Sequence, residues 1–221
     1  MTKVTRFTSA PPQSPYAPVW DYCIAEKETN IDVEELAKVI LYKESKIKDQ
    51  YTEDLDDGDT GLGLDSLTAR FNYFNVLKWN SPVCKNLHKE IKFLHNKYVR
   101  NTVGDLSDHS FFKEGGSLKV RCWANVMRKG QQIKKHSHSS YPHCYLSGHF
   151  TVQCDNTSTI YYHPYNEELC SLKNFPNSMT LFPTWIPHST TVHESDVPRI
   201  TIAFDILLHN KPNSEGELVT L

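Results

Sequence analysis

A mainly β fold, a jelly roll with N-terminal helices packed on one outer face, is predicted by the order of two kinds of segment. Residues 31–116 hold two stretches with apolar residues at steps of three and four, the mark of amphipathic helices. From about Ser117 the pattern becomes short runs rich in β-branched and aromatic residues, broken by Gly, Pro, Asn and Asp clusters, which suits an antiparallel sandwich or barrel. Helices first and strands after place the helices on one side of the sheet. A chain of 221 residues, 38% of them hydrophobic, can bury one sizeable core, so a single domain is expected.

Residues 1–30 are expected to be an extended arm, because Pro11, Pro12, Pro15 and Pro18 stand among polar residues near its start. The first helix should begin at Asp32, a capping residue with Glu35 completing a capping-box pattern, and Val33, Leu36, Ala37 and Ile40 fall on one face. The acidic run from Glu53 to Asp59, with Gly58, Gly61 and Gly63, is a loop. It lacks the spacing and the closing glutamate of a calcium-binding EF-hand, so a solvated loop is expected. A second helix follows Ser81 as N-cap and Pro82 as first helical residue, with Val83, Leu87, Ile91, Leu94 and Tyr98 on one stripe. His88 and His95 on this helix are expected at its surface or boundary. Strands are predicted over 119–127, 145–153, 159–163, 178–182, 189–193 and 199–207, within a β core of 117–209. A polar, frayed tail is expected over 210–221.

Net charge is −2 with neutral histidines, so no global positive field draws the chain to nucleic acid or anionic lipid. No apolar run approaches the roughly 18 residues of a membrane span, and no signal-peptide core precedes the fold; a cytoplasmic protein is expected. Six cysteines lie scattered without a C-x-x-C pair, as free thiols in a reducing compartment would.

The chemistry concentrates on His136-Ser137-His138. Two imidazoles two residues apart on an extended strand project from one face. A third, His188, follows the strand Met179–Phe182 through a Pro-x-Trp-x-x-His turn. Three imidazoles on one side of a metal leave open positions, the arrangement of a non-haem iron site that handles oxygen, although imidazole also suits Zn, Cu and Ni. Arg199, 11 residues past His188, can return on the next strand and hold a carboxylate bidentately, with the Thr201 hydroxyl on the same face. A guanidinium inside a barrel is costly unless an anion meets it. Asn125 and Tyr145 sit on strands that could line the same pocket. His149, His163, His193 and His209 are expected to be ordinary strand or loop residues.

From Trp123 to Ile206 the chain resembles the iron(II)- and 2-oxoglutarate-dependent oxygenases. It is most similar to their small, often phage-borne or bacterial members related to prolyl hydroxylases. The resemblance lies in Trp123-Ala-Asn-Val, His136-x-His138, Leu146-Ser-Gly148, Leu181-Phe-Pro-x-Trp-x-x-His188 and Pro198-Arg-Ile-Thr-Ile-Ala-Phe204. It implies a double-stranded β-helix, with His136 and His188 as iron ligands and Arg199, assisted by Thr201, on the far carboxylate of 2-oxoglutarate. It also implies dioxygen as second co-substrate and oxidation of a substrate C–H bond. The superfamily usually has Asp or Glu where His138 stands, and the stretch from His138 to Gly148 is longer than the group's, which leaves His143 as a rival third ligand. The substrate could be a protein side chain, a metabolite or a nucleotide, and a homodimer is one expected state.

Two other readings fit part of the pattern. Gly130-x5-His136-x-His138-x4-His143 follows the spacing of a first cupin motif, but Trp185 stands where the second motif has glycine and Arg199 is left without a role. A metal-free jelly-roll binding module would keep the strands and expose the arginine.

Overall fold

The computed structural model describes residues 1–9, 14–17, 19–138, 144–163, 168–209 and 217–221. His143 lies outside them. Ten strands and three helices run β1(Thr2–Thr8), β2(Asp21–Glu28), α1(Val33–Gln50), α2(Pro82–Thr102), α3(Ser110–Lys113), β3(Ser117–Met127), β4(Cys144–Gln153), β5(Ser158–Tyr162), β6(Glu168–Lys173), β7(Ser178–Pro183), β8(His188–Thr190), β9(Arg199–His209) and β10(Val219–Thr220). Two antiparallel sheets form, one in the order β1-β2-β7-β4-β9-β3-β10 and a smaller one in the order β6-β5-β8. The architecture is the predicted mainly β double-stranded β-helix, with α1 and α2 against the outer face of the large sheet.

Side-chain alternation assigns the two faces of the central strands. On β9, Ile200, Ile202, Phe204 and Ile206 are fully buried and pack with Leu36 and Ile40 of α1 and Leu87, Ile91 and Leu94 of α2. Arg199, Thr201, Ala203 and Asp205 point the other way, toward the small sheet. Each fully buried Leu or Ile contributes about 2 kcal/mol, more than any helix-propensity difference along these segments. Asp32 caps α1 as expected, its Oδ1 accepting the Glu35 amide at 3.0 Å. Ser81 precedes α2 without a side-chain cap bond, and Pro82 opens the helix.

The N-terminal segment departs from the expected arm. Residues 2–8 and 21–28 form the β1–β2 ladder at the edge of the large sheet, and β2 pairs with β7. Pro15 lies in the connection between the strands; Pro11, Pro12 and Pro18 lie outside the described residues. The first eight residues contain no proline, so every amide that the ladder needs is present. At the other end, Val219–Thr220 pairs with β3 instead of fraying. Strand β6, whose charged ends suit an edge position, was not expected, and β8 is shorter than predicted. Cys23, Cys84, Cys122 and Cys154 are free thiols. Among the described residues no helix is long and apolar enough to cross a membrane.

Candidate metal centre

His136 and His188 face each other across an isolated antiparallel bridge, each backbone amide donating to the other's carbonyl at 3.0 and 2.9 Å. His138, two residues on, is tied by its amide to the Thr184 carbonyl. The pair therefore lies in an extended segment held by single bonds rather than in the strand expected from the sequence. The three rings still converge, with centroids 4.5 to 5.4 Å apart and one nitrogen of each within 4.8 Å of the others. This is the one group of three or more such ligands among the described residues, and the acidic loop gathers none.

The outer nitrogens settle which atoms face inward. Nδ1 of His136 lies 2.9 Å from the Lys134 carbonyl, Nδ1 of His188 lies 3.1 Å from the Ile186 carbonyl, and Nδ1 of His138 lies 2.6 Å from Oδ1 of Asp205. Carbonyl and carboxylate oxygens accept hydrogen bonds, so each Nδ1 carries a hydrogen and each Nε2 is the nitrogen left to face the common space. Burial, followed by the neighbouring His138, pushes His136 down to about 4; burial and both partner rings hold His188 well below the usual imidazole range. Three imidazoles converging on one space form, once deprotonated at Nε2, a donor set for a divalent first-row metal.

The cavity beside these rings runs up the inner face of the large sheet and is lined by Trp123, Asn125, Ile133, His149, Arg199 and Thr201, with Thr60 from the loop after α1. The register puts Asn125 opposite Thr201, and Trp123, Ala203 and His149 in one row across β3, β9 and β4. Arg199 is 2% exposed. Its Nε donates to Thr157 Oγ1 at 3.1 Å, one terminal nitrogen to Asn174 Oδ1 at 3.1 Å and the other to Met127 Sδ at 3.3 Å. Among the described residues no carboxylate pairs with it, and burial pulls it down to about 10.

Of the residues singled out in the sequence, His136, His138, His188, Arg199, Thr201 and Asn125 line this one cavity. Tyr145 does not. A register shift between Cys144 and Leu146 turns it out of alternation, and its hydroxyl meets Nε2 of His95 at 3.0 Å on α2. His95 is accordingly buried at 4% exposure rather than lying at the surface. His193 is buried outside the cavity, bound through Nε2 to the Val197 carbonyl.

Two groups beside the three rings, one of them in the cavity wall, are not marked by the sequence pattern. His149 lies in the wall with Nε2 2.9 Å from the Tyr161 hydroxyl and with Nδ1 buried and unpartnered among the described residues. Burial, then Arg199 and His138, pushes it down to about 3, so it is neutral. Asp205 stands behind His138 and also accepts from Ser147 Oγ at 2.6 Å. Burial alone would raise its carboxyl, but His138 and these hydrogen bonds outweigh that and hold it below its ordinary value. Both share strand parity with recognised residues, Asp205 with Arg199 and Thr201.

No protein-family profile and no curated protein matches the sequence. Solved structures do match the fold. A non-haem monooxygenase, ThoJ, in its nickel complex aligns over 88% of this chain and 79% of its own, with TM-score 0.52 and 11% identity. The chain shares the fold of this non-haem monooxygenase. Others that match are the α-ketoglutarate-dependent carbocyclase SnoK from nogalamycin biosynthesis and an oxygenase of the 2OG-Fe(II) family from Burkholderia pseudomallei. SnoK has TM-score 0.49 at 10% identity over 89% and 88% of the two chains; the Burkholderia protein has 0.42 at 15% over 62% and 64%. The chain thus spans just under two thirds of the Burkholderia protein. At such identities the likeness is one of fold.

Proposed function

We propose that the protein is a non-haem iron(II)- and 2-oxoglutarate-dependent dioxygenase, a hydroxylase that couples oxidative decarboxylation of 2-oxoglutarate to oxidation of a substrate C–H bond. Residues 117–209 form its catalytic core, and 2-oxoglutarate, dioxygen and one organic substrate are its small-molecule partners. The observation that carries this reading is a buried guanidinium without a carboxylate, facing the same cavity as three imidazole lone pairs. A metal-only site has no use for that cation, and burying it uncompensated is costly.

His136, His138 and His188 would hold the metal through Nε2, each ring fixed in plane and tautomer by the acceptor at its Nδ1. Iron bound there supplies the redox chemistry of dioxygen, which no side chain of the cavity can. Arg199 would take the far carboxylate of the co-substrate, with Thr157 and Asn174 already fixing the guanidinium plane and Thr201 and Asn125 beside it. The orphaned Nδ1–H of His149 offers a further donor in the cavity wall, since the high-pKa Tyr161 hydroxyl remains protonated and can donate to Nε2. Trp123 and Ile133 keep water from the space between. No side chain is assigned as acid or base.

The test is anaerobic loading with iron(II) followed by titration with 2-oxoglutarate. A visible metal-to-ligand charge-transfer band is expected in the wild type, absent in His188→Ala and weakened in Arg199→Ala. Metal binding without a band would favour the cupin reading, and no metal binding would favour a binding module. Retention of the band in His138→Ala with loss in His143→Ala would move the third ligand.

A further inference from the structure

The carboxylate that completes most two-histidine iron sites is missing from His136-x-His138, yet one lies a single hydrogen bond behind it. Asp205 Oδ1 stands 2.6 Å from Nδ1 of His138 and 2.6 Å from Ser147 Oγ. The sheet register explains the placement, because Ser147 and Asp205 are cross-strand partners on β4 and β9 with side chains on one face of the sheet. Arg121, the β3 partner of Asp205, donates to Asn72 and acts on the carboxylate through space, while His138 and Ser147 hold it by hydrogen bonds. The carboxylate is 14% exposed and the His138 ring 7%, so solvent screens the pair little.

We propose that Asp205 is the positioning and charge-compensating residue of the metal centre, supplying through His138 the negative charge that a directly bound carboxylate supplies elsewhere. The inference rests on the metal site of the proposed function but not on its co-substrate. Three neutral imidazoles leave a divalent ion with its full charge. A carboxylate accepting the Nδ1 proton strengthens Nε2 as a donor and fixes the ring, and removing such a partner lowers metal affinity about 10- to 100-fold. Ser147 in turn fixes the carboxylate, so the chain Ser147–Asp205–His138 orients one ligand from the rigid centre of the sheet. The arrangement also explains how a histidine can stand at the carboxylate position without loss of the site's charge balance.

The experiment compares full-length wild type with Asp205→Asn, which preserves shape and acceptor but removes the charge. Cobalt(II) affinity is measured anaerobically by chelator competition, and the iron(III)/iron(II) midpoint potential by spectroelectrochemistry. The expected result is a 10- to 100-fold weaker affinity and a more positive potential in Asp205→Asn. In a His138→Ala background the same substitution should change affinity by less than about threefold, because the path for coupling is gone. Wild-type affinity and potential in a folded Asp205→Asn, or an equal loss in both backgrounds, would overturn the proposal. Should Asp205→Asn not fold, Ser147→Ala removes one of the two donors on the carboxylate and should weaken cobalt binding about fivefold, the equivalent of one hydrogen bond; no change refutes it. Failure of the wild type to bind cobalt removes this inference together with the metal site. Cobalt binding without a 2-oxoglutarate band removes the oxygenase reading alone.

Discussion

Replacing Arg199 with methionine separates a binding residue from a structural strut. The guanidinium is buried at 2% exposure and held at about 10 by that burial, against an ordinary value of 12.5. A lowering of that size corresponds to about 3 kcal/mol lost in keeping the charge inside the ligand-free fold. Against this stand two hydrogen bonds from the charged guanidinium to Thr157 Oγ1 and Asn174 Oδ1, worth about 1.5 kcal/mol each at the low end for an ionised donor. Thr157 and Asn174 also bond each other and Thr159, so neither is left bare by the substitution. The two sides nearly cancel, and ligand-free Arg199→Met should match the wild type in urea unfolding or exceed it by about 1 kcal/mol. Its response to 2-oxoglutarate should be lost. Removing one partner of a buried charge pair costs about 2 to 5 kcal/mol, a rise in Kd of about 30-fold or more. Metal-loaded wild type at 100 times Kd gains about 2.7 kcal/mol, about 5 to 10 °C in a thermal scan for a chain of this size. The variant at the same concentration should gain under about 1 kcal/mol, at most about 2 to 3 °C. Loss of 3 kcal/mol or more by the ligand-free variant, with 2-oxoglutarate affinity kept within threefold, would refute the reasoning.

Gly148→Ala should destabilise the fold by about 1 to 3 kcal/mol in chemical denaturation, because a Cβ there would meet the Phe204 ring at 2.3 Å and the Thr180 carbonyl at 2.4 Å. Asp32→Ala should cost about 1 kcal/mol in the same assay by freeing the Glu35 amide at the start of α1. The ligand-free protein should lose stability as pH falls below about 6.5. His149 titrates near 6.5 unfolded but at about 3 folded, so its contribution is complete above 6.5 and lost toward 3, by up to about 1.4 kcal/mol per pH unit. Urea unfolding at pH 7, 6 and 5 should show a shallower slope in His149→Gln; an unchanged slope would exclude this histidine as a source.

Much of the centre was legible because the inner face of a strand repeats every two residues. Arg199 and Thr201 were placed together on that ground, and the structure puts them in one cavity with Asn125 and the three imidazoles. The same rule carried two residues further reaches Ala203 and Asp205, so the carboxylate behind His138 was readable in principle; it was passed over because nothing local marks which buried aspartate meets which histidine. Tyr145 shows the opposite failure. Alternation puts it with Ser147 and His149, but the irregular register at Cys144/Leu146 turns it toward α2, and such irregularities leave little trace in a single sequence. His95 falls on the apolar stripe of α2 four residues after Ile91. It was set aside as polar, yet the Tyr145 hydroxyl gives it a partner that makes burial affordable. The β1–β2 edge leaves a weak mark because the prolines cluster between residues 11 and 18, outside both strands.

The fold also explains why the rings converge although the histidine pair is anchored outside a regular strand. His136 and His138 sit on a segment with one bridge to His188 and one bond to Thr184, which alone would allow the rings to wander. Each ring is instead fixed from behind: His136 by a carbonyl two residues earlier in its own segment, His188 by one two residues earlier in its turn, and His138 by a side chain from the centre of the large sheet. Two of these anchors are local and would move with the segments they hold. Only the Asp205 contact ties the imidazoles to β9, the strand that also bears Arg199 six residues away. The distance between the metal and the cation that would hold the far carboxylate is therefore set by one strand, and Asp205→Asn should disturb 2-oxoglutarate binding less than metal binding, since Arg199 keeps its own anchors.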